Sequence, residues 1–182
     1  RIQTVFADTS DMQDTFDALS RRTQSTDAEG RITQYGYDQL GRLTSVANAL
    51  DQTTTFSYDE QGNKLSQTDA SGNTTQWTYD ALGRTLSRTL PMGQTEINSY
   101  DAIGNLTQRT DFNGDVHNYT YDINNQLIRI DYADGTVETH QYDAIGNRLQ
   151  SEKVERGITD TTLYSYDSRD RLISETQFAN RP

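Results

Sequence analysis

The chain has 182 residues, 16 Lys and Arg against 27 Asp and Glu, and a formal net charge of −11. Scattered, outnumbered basic residues exclude duplex and single-stranded nucleic acid as partners, because that binding needs clustered cations to release counterions. No apolar run approaches the ~18–20 residues of a membrane-spanning helix, and the absence of Cys excludes thiol catalysis, disulfides and thiolate metal sites.

The opening stretch RIQTVFADTS has neither the charged start nor the apolar centre of a signal peptide. Residues 1–15 read as a partial, degenerate repeat. Phe16-Asp17 then begins a register that runs to the end of the chain. Tyr-Asp follows at 37, 58, 79, 100, 121, 142 and 166, in five steps of 21 residues and one of 24. Low aliphatic content with high net charge is the usual mark of disorder, but 26 Thr and 11 Tyr suit a pleated surface. A fixed register at this period is the mark of a repeat architecture, and it takes precedence over composition.

With Tyr as position 0, Gly stands at +4 in Gly41, Gly62, Gly83, Gly104 and Gly146, and at +14 in Gly30, Gly72, Gly93, Gly114 and Gly135. The substitutes at these positions are Ser20, Asn125, Asp170 and Asp51. Asn and Asp are the side chains that best tolerate a left-handed backbone. Each repeat therefore contains two turns with one left-handed residue apiece.

Alternation fills the space between turns. Thr54-Phe56-Tyr58, Thr75-Trp77-Tyr79 and His117-Tyr119-Tyr121 occupy +17, +19 and +21, and polar residues separate them. That period of two predicts a strand. A second strand spans +5 to +11 with Leu at +6 or +7, and that wandering leaves its core-facing side open. Short connections force antiparallel pairing. Eight copies predict about sixteen strands in an all-β meander of hairpins, with no helix. An open sheet of that width twists and curls, so the expected form is a spiral shell or an open barrel segment. The three extra residues fall within 150–163, around Gly157, and predict one longer hairpin.

The copies YDALGR, YDAIGNL, TDASGNTTQWTYD and TDFNGDVHNYTYD resemble the YD repeat of the RHS family over about residues 16–175. That family includes bacterial Rhs polymorphic toxins, the B and C components of Tc toxins, and animal teneurins. The resemblance implies a hollow β-shell that, in bacterial members, encloses a toxin polypeptide until delivery. It implies a secreted or cell-surface parent protein, with flanking repeats and the enclosed toxin as partners. Residues 16–182 then form a single domain of tandem repeats, a fragment of a longer shell. Neither a DPxG-type self-cleaving segment nor a toxin domain is found in the chain.

The expected structural positions are Tyr37, Asp38 and Gly41; Tyr58, Asp59 and Gly62; Tyr79, Asp80 and Gly83; and Tyr100, Asp101 and Gly104. They continue with Tyr121, Asp122 and Asn125; Tyr142, Asp143 and Gly146; and Tyr166 and Asp167. The Tyr is read as packing on a sheet face, and the Asp as opening an Asx turn. The aromatic column Tyr35, Phe56, Trp77, Tyr119 and Tyr164 is either a cross-strand ladder or, if open, a stacking surface for glycans. His117, His140 and Glu138 fall near one another in register, but they lack a third strong metal ligand in line. Nothing like Gly-x-Ser-x-Gly marks a nucleophile, and no cofactor motif occurs. The expected function is a non-enzymatic wall segment; the alternative is a carbohydrate or cell-surface binding module.

Overall fold

A computed structural model describes residues 2–5 and 11–180, with side chains from 12 to 179. Of the partial repeat expected over 1–15, residues 1 and 6–10 lie outside the described residues. The chain groups into two compact units, Arg1–Gly93 and Gln94–Pro182.

The first unit contains β1 (Ile2–Val5), β2 (Asp11–Phe16), β3 (Arg22–Thr26), β4 (Ile32–Tyr37), β5 (Leu43–Ala47), β6 (Thr53–Tyr58), β7 (Lys64–Thr68), β8 (Thr74–Tyr79) and β9 (Thr85–Thr89). Each pairs antiparallel with the next. The second unit contains β10 (Thr95–Tyr100), β11 (Leu106–Thr110), β12 (Val116–Tyr121), β13 (Leu127–Asp131), β14 (Val137–Tyr142), β15 (Arg148–Glu155), β16 (Ile158–Tyr166) and β17 (Leu172–Asn180), paired in the same way. The protein is all-β, and no helix occurs among the described residues. Seventeen strands lie among the described residues, in line with the expectation of about sixteen, and β1 falls within the partial first repeat.

Both glycine columns are left-handed, and so are their substitutes: Ser20 (φ 62°), Asp51 (φ 58°), Asn125 (φ 63°) and Asp170 (φ 59°). The turns share one form. Gly41 N–H donates to the Asp38 carbonyl, and Asp38 N–H donates to the Arg42 carbonyl, both at 3.0 Å. This is a tight turn followed by a left-handed residue, a loop that joins antiparallel strands with a bulge.

The bulge explains the wandering leucine. Ser57 faces Ser66, yet Tyr58 faces Lys64, so two residues on β7 oppose one on β6. The same shift recurs at every Tyr-Asp hairpin. Alternation restarts at the bulge, so +6 and +7 cannot be assigned from a simple period of two.

One sheet face is crowded and the other is open. Thr54, Phe56 and Tyr58 are half-buried, whereas Thr55 and Ser57 between them are exposed; β8 and β12 repeat the pattern. No hydrophobic side chain is fully buried among the described residues. The half-buried side chains are shielded by neighbours on their own face. Ladder hydrogen bonds, cross-strand pairs and turn chemistry therefore hold the sheet, because no buried hydrophobic core is present among the described residues.

The long hairpin lengthens in its arms and shortens at its tip. β15 and β16 have 8 and 9 residues. Arg156 (φ 51°) and Gly157 (φ 80°) alone connect them. Two consecutive left-handed residues match the right-handed twist of a two-residue hairpin.

Candidate functional site

The Tyr-Asp positions converge on one recurring structure at the hairpin turns. Tyr37, Tyr58, Tyr79, Tyr100, Tyr121, Tyr142 and Tyr166 each end a strand, and the following Asp opens the turn. Asp38 Oδ1 accepts the amides of Leu40 (3.0 Å) and Arg42 (2.9 Å), and Asp38 Oδ2 takes the Arg42 Nε at 2.6 Å. Asp80 holds Leu82 and Arg84 in the same way. Asn63, Asn105 and Asn147 replace the arginine by donating Nδ2 to Asp59, Asp101 and Asp143. These donors favour the ionised carboxylate. The amide of Arg42 leads in holding Asp38 below the usual carboxylate range, and the amide of Arg84 does so for Asp80.

The turns are also stitched to one another. Tyr58 Oη donates to the Leu43 carbonyl of the preceding repeat at 2.8 Å, and Tyr37 reaches Arg22 at 2.9 Å. Tyr79, Tyr142 and Tyr166 make the equivalent bonds to Lys64, Leu127 and Arg148. In the forward direction, Arg42 lies 5.0 Å from the Tyr58 ring centroid and donates to the Asp59 carbonyl at 2.5 Å. Arg21 does the same to Tyr37 and Asp38. Within each unit, these bonds tie a repeat to the one before it, and in the first unit Arg21 and Arg42 tie it to the one after.

This stitching accounts for two departures from glycine. Asn105 Nδ2 donates to Asn125 Oδ1, and Asn147 Nδ2 donates to Asp170 Oδ1, both at 3.3 Å. At these two copies the preceding repeat supplies Asn in place of Arg, and a side-chain oxygen at +4 completes the link; after Asn63 the +4 residue stays Gly83. Nothing in the sequence period pointed to that reach between copies.

The other turns, at Asp27, Asp69 and Asp111, use the same Asx bonds. At Asp27 the arginine stays local: Arg31 binds Asp27 at 2.6 Å and Glu29 at 2.8 Å.

The aromatic column lies on the crowded face. Phe56, Tyr119 and Tyr164 are half-buried there. Cations cover Tyr35 and Trp77: Arg22 is 4.6 Å from the Tyr35 ring, and Lys64 is 4.0 Å from the Trp77 ring. A sugar stacking on these rings would have to displace those cations, which disfavours the carbohydrate reading. His117 turns to Asp111 (3.8 Å) and His140 to Glu138 (3.6 Å). Among the described residues, no group of three or more His, Asp or Glu could hold a metal ion.

The family model described as teneurin YD-shell matches residues 3–114, more than half of the chain. The chain belongs to this family. The RHS repeat model matches residues 100–137 of the YD-shell chain. Its fold resembles the Photorhabdus luminescens Tc holotoxin pore, with a TM-score of 0.73 and 19% identity over 92% of this chain and 10% of that one. TcdB2-TccC3 aligns with a TM-score of 0.63 and 18% identity over 99% of this chain and 12% of that one. The form without the hypervariable C-terminal region aligns with a TM-score of 0.56 and 18% identity, covering 96% and 13%. The YD-shell chain therefore spans about a tenth of the length of the structures it matches. No curated protein matches it.

Proposed function

We propose that this chain is a structural wall segment of an RHS-type shell that encloses a toxin polypeptide until delivery. The observation that carries this reading is the stitched Tyr-Asp edge. Its Tyr, Asp, Arg and Asn side chains bond within and between repeats, which suits a motif that builds a wall. The likeness to Tc toxin structures supports the same role, and residues 16–182 act as one run of tandem repeats.

In this role the sheet continues into flanking repeats, curls, and separates an enclosed polypeptide from solvent. The parent protein is secreted or displayed at a cell surface. The excess of 27 acidic over 16 basic residues suits a basic guest, held in part by charge and released more readily in salt.

The test is a transplant. This chain replaces the matching wall section of a TcdB2-TccC3 shell, and protease is added from outside. A wall segment leaves the enclosed polypeptide protected, as in the parent shell. Rapid digestion of the guest inside an assembled chimera would contradict the proposal.

A further inference from the structure

The most buried side chains among the described residues are all polar: Thr136 (4% exposed) and His140 (5%) in the copy that precedes the long hairpin, and Ser151 (9%) within that hairpin. A sheet without a hydrophobic core has no general means of burying polar groups. Their burial reflects local construction. His140 on β14 and Ser151 on β15 face each other across the ladder. The Ser151 hydroxyl lies 3.0 Å from His140 Nδ1. On the far side of the ring, Nε2 faces Glu138 Oε1 at 3.6 Å. The second oxygen of Glu138 accepts a 3.0 Å bond from the Tyr132 hydroxyl, which fixes the carboxylate.

The chemistry follows from this order. Glu138 favours the tautomer with the proton on Nε2, leaving Nδ1 to accept from the serine. Burial, with help from Arg148, lowers the His140 pKa and keeps the ring neutral near pH 7; Glu138 opposes the shift. A hydroxyl bonded to a neutral base, with that base oriented by a third group, is the arrangement that activates a nucleophile. Ser151 also lines a cavity of about 440 Å³, together with Glu138, Arg148, Thr162, Tyr164 and Gln177. That volume lies within the ~300–1,000 Å³ range of small-molecule sites.

We propose that Ser151 is an activated nucleophile that takes an acyl group from a small carboxylic ester, with His140 as its general base and Glu138 as a positioning residue. Ser151 Oγ adds to the ester carbonyl carbon while its proton passes to His140 Nδ1. The ester C–O bond breaks, and the departing alcohol leaves with that proton. Water, deprotonated by the same nitrogen, then adds to the acyl carbon; the C–O bond to Ser151 breaks, Oγ takes the proton back from His140, and the acid is released. Arg148 and Lys153 are the cations that line the cavity and can face the carbonyl oxygen. This activity is independent of the wall role, and the failure of one leaves the other standing.

The experiment is labelling of the intact chain with a fluorophosphonate probe, which phosphonylates a reactive serine and expels fluoride, followed by peptide mapping. A single adduct on Ser151 is expected, with the exposed Ser57 and the solvent-facing pair Ser165 and Ser174 unlabelled in the same molecules. Hydrolysis of p-nitrophenyl acetate should vanish in Ser151→Ala. His140→Gln should slow labelling at least ~100-fold, the order of a general base's contribution. Glu138→Gln should move the pH midpoint of labelling downward, because the carboxylate that favours the protonated ring is gone. The groups facing His140 in that titration are Glu138 on β14 and Arg148 on β15, with Tyr132 acting through Glu138. Absence of an adduct on the folded wild-type chain, or labelling of Ser151 no faster than of Ser57, would overturn the proposal without recourse to any variant.

Discussion

The hairpins of β4–β9 and the long hairpin of β15–β16 are two answers to the problem of holding a sheet that has no core. The regular hairpins keep strands of five or six residues and place their strongest interactions at the Tyr-Asp turns. The long hairpin has a two-residue tip and strands of eight and nine. With β14 it buries polar side chains in mid-strand. Repetition therefore reports wall construction, and its interruption marks the place where individual chemistry can arise.

The largest effect should come from the left-handed turn positions. Gly83 (φ 78°) and Gly104 (φ 105°) require a backbone that β-branched residues resist. Gly83→Val and Gly104→Val should each destabilise by about 2–3 kcal/mol in urea unfolding. Asn125→Gly relieves a left-handed side chain while losing the Asn105 contact, and should change little. Equal effects from all three would remove the turn account.

A smaller effect separates the two kinds of turn. Arg42→Ala loses the Asp38 pair, the Tyr58 ring and the Asp59 carbonyl together, which should lower stability by about 1–2 kcal/mol. Arg31→Ala, at a turn whose arginine bonds remain local and exposed, should be nearly silent. Tyr58→Phe deletes only the bond to the Leu43 carbonyl and should cost about 1 kcal/mol. Equivalent losses for Arg42→Ala and Arg31→Ala would erase the distinction between the turns.

The smallest effect is on pH dependence. Asp38 and Asp80 have pKa values lowered in the folded state. Their contribution is complete above the unfolded carboxylate value near ~3.9 and is lost as pH falls through the lower folded values. Acid unfolding should therefore steepen below about pH 4, and Asp38→Asn should flatten that limb. An unchanged acid limb would show that the turn carboxylates are not linked to folding.

Much of this architecture was legible in the sequence. The two left-handed columns followed from glycine spacing, even where Ser20, Asp51, Asn125 and Asp170 stand in. The crowded face followed from alternation at Thr54, Phe56 and Tyr58. Three features did not follow. The bulge beside each Tyr breaks the period of two, so the side of Leu65 could not be assigned. The reach of Arg42 into the next repeat is a three-dimensional relation between copies that a single-copy pattern does not contain. The meeting of His140 with Ser151 depends on the same bulge: Gln141 faces Gln150 while Tyr142 faces Arg148. Without that one-residue shift, the serine would not stand opposite the histidine. The positions at which the repeat departs from its pattern, Asn125 and Asp170, proved to complete the edge.

The central claim is that the Tyr-Asp turns bind repeat to repeat. A double-mutant cycle on Arg42→Ala and Tyr58→Leu, read by urea unfolding, tests it most directly. Stitching predicts a coupling of at least ~0.5 kcal/mol between them, while Arg31→Ala and Tyr58→Leu should be additive. Additivity of the Arg42 and Tyr58 substitutions within ~0.3 kcal/mol would contradict the claim.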